Sequence, residues 1–137
     1  MATLVDTNVL LDLLDVGSAW EDWSSDRLFE ARERGAVVIN PLIFAEVGAG
    51  FVTEPELEAA LPSSRFTREE LPFRAAWLAG RAFLQYRRNG GDKRSPLPDF
   101  YIGAHALVMR HELLTRDPSR YSSYFPTLSI IAPDTHP

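Results

Sequence analysis

The chain contains no cysteine, which excludes a disulfide framework, a thiol nucleophile and a cysteine zinc site and makes a reducing compartment, the cytoplasm, the default. Lysine is nearly missing as well: Lys93 is alone among fourteen basic residues. A phosphoacceptor receiver, which places a lysine at a late strand end, is therefore rejected. No run approaches the roughly eighteen apolar residues of a membrane span, and Met1 to Asp6 has no basic segment ahead of a longer apolar core, so neither insertion nor secretion is expected. There is no P-loop and no GxSxG elbow. Gly48-Ala49-Gly50 lacks the third glycine of a dinucleotide loop and follows a helical pattern. His105 and His111 stand six apart, out of phase on a helix, and His136 lies in the tail, so a histidine metal site is not expected.

What remains is 137 residues, 45% hydrophobic, with ten prolines, the size and composition of one domain spanning residues 1–137. The net charge of −5 argues against a general nucleic-acid coat protein, but the charge is unevenly spread. Residues 1–64 carry twelve acids against three bases, and residues 65–94 eight bases against three acids. A local, arginine-rich patch suits phosphate, and a solvated helix face explains it equally well.

Ala2 to Val5 reads as a buried strand that stops at Asp6-Thr7-Asn8, ahead of a helix over Val9 to Leu14. Trp20 to Arg34 reads as an amphipathic helix, Ala36 to Ile39 as a second strand and Leu42 to Val47 as a largely buried helix. A short acidic helix over Pro55 to Leu61 comes next. Pro72 to Asn89 reads as a long helix with Phe73, Ala76, Trp77, Gly80, Phe83 and Leu84 at helical spacing. A further helix starts near Pro98, and Leu113 to Thr115 and Leu128 to Ile131 are the last strands. Strands alternating with helices predict an α/β fold, a compact α/β/α sandwich with a central parallel sheet of four to five strands.

In an open parallel sheet ligands bind beyond the carboxyl ends of the strands. Asp6 and Asp117 follow strands there, and Asp99 stands in the first turn of its helix. Glu46 lies among apolar neighbours, where an unpaired carboxylate is costly. Singly, each acid has an ordinary explanation: Asp6 as a cap, Asp99 as a first-turn acid, Asp117 as a turn former before Pro118, Glu46 paired with an arginine. Together they suggest one site. Carboxylates crowded at one rim repel unless a cation compensates, and an all-oxygen set suits Mg2+ or Mn2+. Such a site activates water against a phosphodiester, which is nuclease chemistry.

At this point the residues resemble the PIN domain, and within it the VapC-type toxin ribonucleases of toxin–antitoxin pairs. The resemblance rests on Val5-Asp6-Thr7-Asn8-Val9-Leu10-Leu11, Ala45-Glu46-Val47-Gly48, Leu97-Pro98-Asp99-Phe100-Tyr101-Ile102-Gly103-Ala104-His105-Ala106 and Leu114-Thr115-Arg116-Asp117 followed by Tyr124-Phe125-Pro126. It covers nearly the whole chain. It implies Mg2+- or Mn2+-dependent cleavage of RNA, with Asp6 and Asp99 as principal metal ligands and Glu46 and Asp117 acting through water or a second ion. Thr7, Asn8 and Thr115 match supporting positions. Arg87, Arg88, Lys93, Arg94, Arg116 and Arg120 are the RNA-binding candidates around the pocket. The resemblance also implies a small VapB-like antitoxin lying across the early helices, where Trp20, Trp23 and Phe29 are groove candidates, a homodimer, and operator DNA bound only through the antitoxin complex. A DNA nuclease or phosphatase using the same pocket, and a non-catalytic binding module, are the competing functions.

Overall fold

Thr3–Val5 forms the first strand, β1, as an unbroken run buried on both sides of a sheet. In this computed structural model, which describes all 137 residues, Asp6 ends β1 and caps α1 (Thr7–Leu14), its carboxylate accepting the Thr7 N–H at 2.8 Å. Gly17, at φ 95°, turns the chain in a conformation that costs glycine least. Helix α2 (Glu21–Arg34) opens on Glu21 and Asp22 and closes on Arg32 and Arg34, matching its dipole. Strand β2 (Val37–Ile39) leads into α3 (Pro41–Gly48), whose cap is the Asn40 side chain, accepting from Ile43 N–H at 3.0 Å.

Helix α4 (Glu54–Ala60), strand β3 (Thr67–Arg68) and the long α5 (Phe73–Arg88) follow. Helix α6 (Pro98–Met109), strand β4 (Glu112–Leu114), α7 (Ser119–Tyr124) and β5 (Ile130–Ile131) complete the chain. The five strands are all parallel in the order β3-β2-β1-β4-β5. Leu4 aligns with Val38 on one side and Leu113 on the other. The sheet is therefore of the expected α/β/α type, with its apolar core built on β1, β2, β4 and the buried face of α6.

Four local expectations are corrected. Strand β3 is absent from the sequence reading because its two residues are polar and exposed and only complete an edge. Helix α7 is absent because it is six residues long and buries only Tyr121. Helix α5 buries Ala75, Ala79 and Ala82, whereas Phe73 and Trp77, named for the apolar face, are 95% and 55% exposed. The small alanine face lets α5 lie close against α6, a fit that bulky side chains would prevent. Helix α3 was expected to be largely buried, yet it buries only Ile43 and Val47 and leaves Ala45 and Glu46 exposed.

Candidate active site

The parallel sheet brings Asp6, Thr7, Asn8, Leu11, Glu46, Asp99 and Asp117 around one cavity of about 230 Å3. All four sequence-chosen acids line it. Asp6 is the buried member. Its Oδ1 accepts from Thr7 N–H, and its Oδ2 accepts from the Thr115 hydroxyl at 2.9 Å, the Tyr121 hydroxyl at 2.9 Å and, more weakly, Asn8 Nδ2 at 3.4 Å. Burial raises its pKa to about 6, with the Asp99 charge adding to the rise and the hydrogen bonds from Thr115, Tyr121 and Thr7 opposing it.

Thr115 and Asn8 form the floor beside it. Asn8 Nδ2 donates to Thr115 Oγ1 at 3.2 Å, Asn8 Oδ1 accepts from Arg116 N–H at 3.0 Å, and Asp117 N–H donates to Thr115 Oγ1 at 3.1 Å. The loop carrying Asp117 is thus tied to α1. Glu46 is not the buried acid that its apolar neighbours suggested. It sits on the exposed face of α3 and accepts the Thr7 hydroxyl at 2.7 Å, so no arginine is needed to offset its burial. Asp99 is in the first turn of α6 and pairs with Arg120 Nη1 at 3.2 Å. Asp117 is exposed and accepts from Ser119 Oγ at 3.3 Å.

Sequence reasoning missed Tyr121. Its hydroxyl lies 2.9 Å from Asp6 Oδ2 and 3.3 Å from Asp99 Oδ1, and burial together with those two carboxylates drives its pKa far up, so it stays protonated. It has one hydrogen to share between two acceptors. No periodic signal marks a single buried residue in so short a helix. Gly103 of α6 makes room for it: a Cβ there would fall 2.6 Å from the Phe125 ring and 3.0 Å from that of Tyr121. Gly103→Ala is expected to cost about 1–3 kcal/mol by overpacking, read as a lower urea midpoint at unchanged m-value. A shift within experimental error would mean that the two rings have room to yield.

A PIN domain model matches residues 3–122. The chain belongs to the PIN-domain family. Among solved structures, the PIN chain is similar to VapBC2 from Rickettsia felis bound to a fragment of its promoter DNA, at 16% identity and a TM-score of 0.74 over 96% of this chain and 98% of that one. It is also similar to a toxin–antitoxin complex from Klebsiella pneumoniae, at 23% identity and a TM-score of 0.65 over 94% and 95% of the two chains. A third is VapC20 from Mycobacterium tuberculosis, described as a sarcin-ricin-loop-cleaving toxin, at 17% identity and a TM-score of 0.62 over 88% and 94%. No curated protein matches it in sequence.

The basic candidates divide by what they hold, and none of them lines the acidic cavity itself. Arg116 Nε donates to the buried Asp12 at 2.6 Å, and its guanidinium carbon lies 5.5 Å from the Trp20 ring centroid. Asp12 also accepts from Ser24 and Ser18. Arg87 Nη1 donates to the Lys93 carbonyl at 2.6 Å and so clips the loop after α5. Arg88, Lys93 and Arg94 are exposed.

Away from the acids, Glu69, His105 and His111 meet in a way the six-residue spacing did not suggest. Helix α6 ends at Met109, and Arg110 turns through the left-handed region at φ 57°, which brings His111 back beside His105. Both Nε2 atoms lie within hydrogen-bond reach of Glu69 Oε1, at 2.9 and 2.8 Å. The trio has the residue types of a metal site, but the atom behind His105 is wrong for one. Because Asn40 Oδ1 caps α3, its Nδ2 faces His105 Nδ1 at 3.0 Å and requires an acceptor there. The proton therefore sits on Nε2, pointing at Glu69, whereas a metal-bound histidine needs an acceptor behind it. The trio is a hydrogen-bonded clasp joining the end of β3 to α6.

Burial lowers the His105 pKa, outweighing the pull of Glu69. Partial burial pushes Glu69 up, but its hydrogen bonds from His111 and His105 outweigh this and hold it below the usual carboxylate range. Both shifts have the same sign for stability. His105's contribution is complete above about pH 6.5 and is lost as pH falls, and Glu69's is lost further down, below about pH 4.5. Between pH 7.5 and 5.5 the urea midpoint of the parent should fall more than that of His105→Gln, which can still donate to Glu69 but does not titrate. Equal slopes would remove His105 as the source. Asp6, raised by burial, works the other way, but it is present in both proteins.

Proposed function

We propose that this chain is the toxin of a VapBC-type pair, an endoribonuclease dependent on Mg2+ or Mn2+. The observation that carries this reading is the meeting of Asp6, Glu46, Asp99 and Asp117 at one cavity beyond the carboxyl ends of the strands. Its donors are all oxygen, and Asp99 alone among the four acids has a salt bridge, so the set fits a hard divalent cation. Asp6 and Asp99 would hold the ion directly, with Glu46 and Asp117 reaching it through water or a second ion. An ion held there lowers the pKa of water and offsets charge on the non-bridging phosphate oxygens.

The chain's own groups do the rest. Asp6 cannot rotate away, because donors from Thr7, Thr115 and Tyr121 fix both of its oxygens. Either Glu46, exposed and steadied by Thr7, or Asp117 in the same cavity would take the proton of the attacking water. Arg120 uses one guanidinium nitrogen on Asp99 and is 43% exposed, which leaves N–H groups for a phosphate oxygen. Arg88, Lys93 and Arg94 extend the backbone-tracking charge.

The likeness to VapBC complexes and to a sarcin-ricin-loop-cleaving toxin supports RNA as substrate and a small antitoxin as partner. Leu11 and Leu14 on α1 and Trp20 ahead of α2 are 44%, 42% and 39% exposed, and Leu11 borders the acidic cavity. An antitoxin segment laid across them would cover the pocket. Trp23, by contrast, donates its indole N–H to the His136 carbonyl and secures the C-terminal tail.

The test is incubation of the antitoxin-free protein with a mixed transfer and ribosomal RNA pool, and with single-stranded DNA of matched length, in Mg2+, Mn2+ or EDTA. Discrete RNA fragments in either metal and none in EDTA are expected. Cleavage of DNA at equal rate, or cleavage that persists in EDTA, would overturn the reading.

A further inference from the structure

A second cavity of about 280 Å3 opens beside the acidic one, shares Asp99 and Asp117 with it, and is otherwise lined by Tyr86, Ser119, Arg120, Ser123 and Tyr124. The two cavities have different chemistry. The first is ringed by carboxylates, whereas the second adds two half-buried phenol rings and two serine hydroxyls. The aromatic part is rigidly built. Tyr86 and Tyr124 both pack edge-on against the buried Phe100, with ring centroids 5.7 and 5.1 Å away. Phe83 stacks against Tyr86 at 25°, and Gly91 lies so close that a Cβ there would come within 2.2 Å of the Tyr86 ring.

We propose that this second cavity seats a single unpaired nucleobase next to the phosphodiester held at the acidic pocket. Flat, apolar faces beside polar side chains are what a base presents and requires: stacking for its π face, hydrogen bonds for its edge. Ser123 and Ser119 supply hydroxyls. At present Ser123 Oγ donates to the Ser119 carbonyl and Ser119 Oγ to Asp117, and each keeps lone pairs for a base N–H. Arg120 lines the second cavity and pairs with Asp99, which the two cavities share. A backbone phosphate that draws on Arg120 therefore carries its base towards the tyrosines. A base within a duplex cannot show its face, so the cavity selects single-stranded segments and loops.

The placement of the phosphate rests on the nuclease reading, but the base contact is measurable without any cleavage. Dissociation constants of adenosine 5′-monophosphate, uridine 5′-monophosphate and ribose 5-phosphate, none of which contains a cleavable diester, are measured by NMR titration of the full chain in Mg2+. The nucleotides are expected to bind roughly tenfold to a hundredfold more tightly than the baseless sugar phosphate. Tyr124→Leu should bring that ratio close to one. Ser123→Phe should do the same by filling the cavity from an exposed position, and it leaves the Tyr124 packing on Phe100 intact.

A ratio near one in the parent, or a ratio that survives both variants, overturns the base site. Binding of ribose 5-phosphate that ignores both Mg2+ and Asp99→Asn counts instead against the metal pocket. The two readings therefore fail on different measurements.

Discussion

Asp99→Asn is expected to slow RNA cleavage by about two to four orders of magnitude while the fold stands. The side chain is 36% exposed at the head of α6, so removing its charge leaves no buried hole. What it removes is one of the two carboxylates proposed to hold the ion directly, and an ion's charge stabilisation of a phosphoryl transition state is worth several kcal/mol, or about 10²- to 10⁴-fold in rate. Asp6→Asn should be as inactive but a poorer protein. Both oxygens of Asp6 receive donors, and an amide nitrogen would face one of them with a donor of its own. Single-turnover cleavage beside urea unfolding separates the two variants. Activity of Asp99→Asn within tenfold of the parent would remove Asp99 from the site.

The second large effect concerns stability. Arg116→Met is expected to destabilise the chain by about 3 kcal/mol, because it strips the cation from a carboxylate that is 5% exposed. Asp12→Asn should cost less, since Arg116, 29% exposed, can turn its charge to water. The asymmetry decides what Arg116 is for. As an RNA contact alone, it would leave stability within about 0.5 kcal/mol on substitution and would change only the affinity for RNA and its salt dependence. Urea midpoints for the two variants, with binding of a labelled single-stranded RNA at two salt concentrations, give the answer.

The parts of the chain most legible in sequence are those where one residue type has one use. Ala2 to Val5 ending at Asp6 can be little other than a buried strand turning into a capped helix, and the parallel pairing of the four strands read from sequence follows from the alternation of runs. Asp6 and Asp117 were legible because they follow parallel strands at their carboxyl ends, where ligands bind. Glu46 was chosen for a wrong reason: the neighbours of α3 are apolar, but the helix turns its glutamate outward to meet Thr7. Contacts made by chain reversal left no trace. Tyr121 reaches Asp6 from 115 residues away, and His111 reaches Glu69 only because Arg110 adopts a left-handed turn. Periodicity cannot report either. On α5 the pattern itself misled, since large apolar residues outscore alanines on any hydrophobicity count while close helix packing favours the alanines.

The central strand β1 lies between β2 and β4, so one of its two pairing partners is synthesised only after residue 111. The acidic cavity has the same history: Asp6 is made well before Asp117 and Tyr121, which complete its surroundings. Non-local pairing of this kind is slow and waits for the distant segment. A nascent or truncated chain that stops short of Tyr121 is therefore expected to lack the activity proposed for the finished pocket. The order of the strands thus delays the pocket until β4 and α7 have been made and docked.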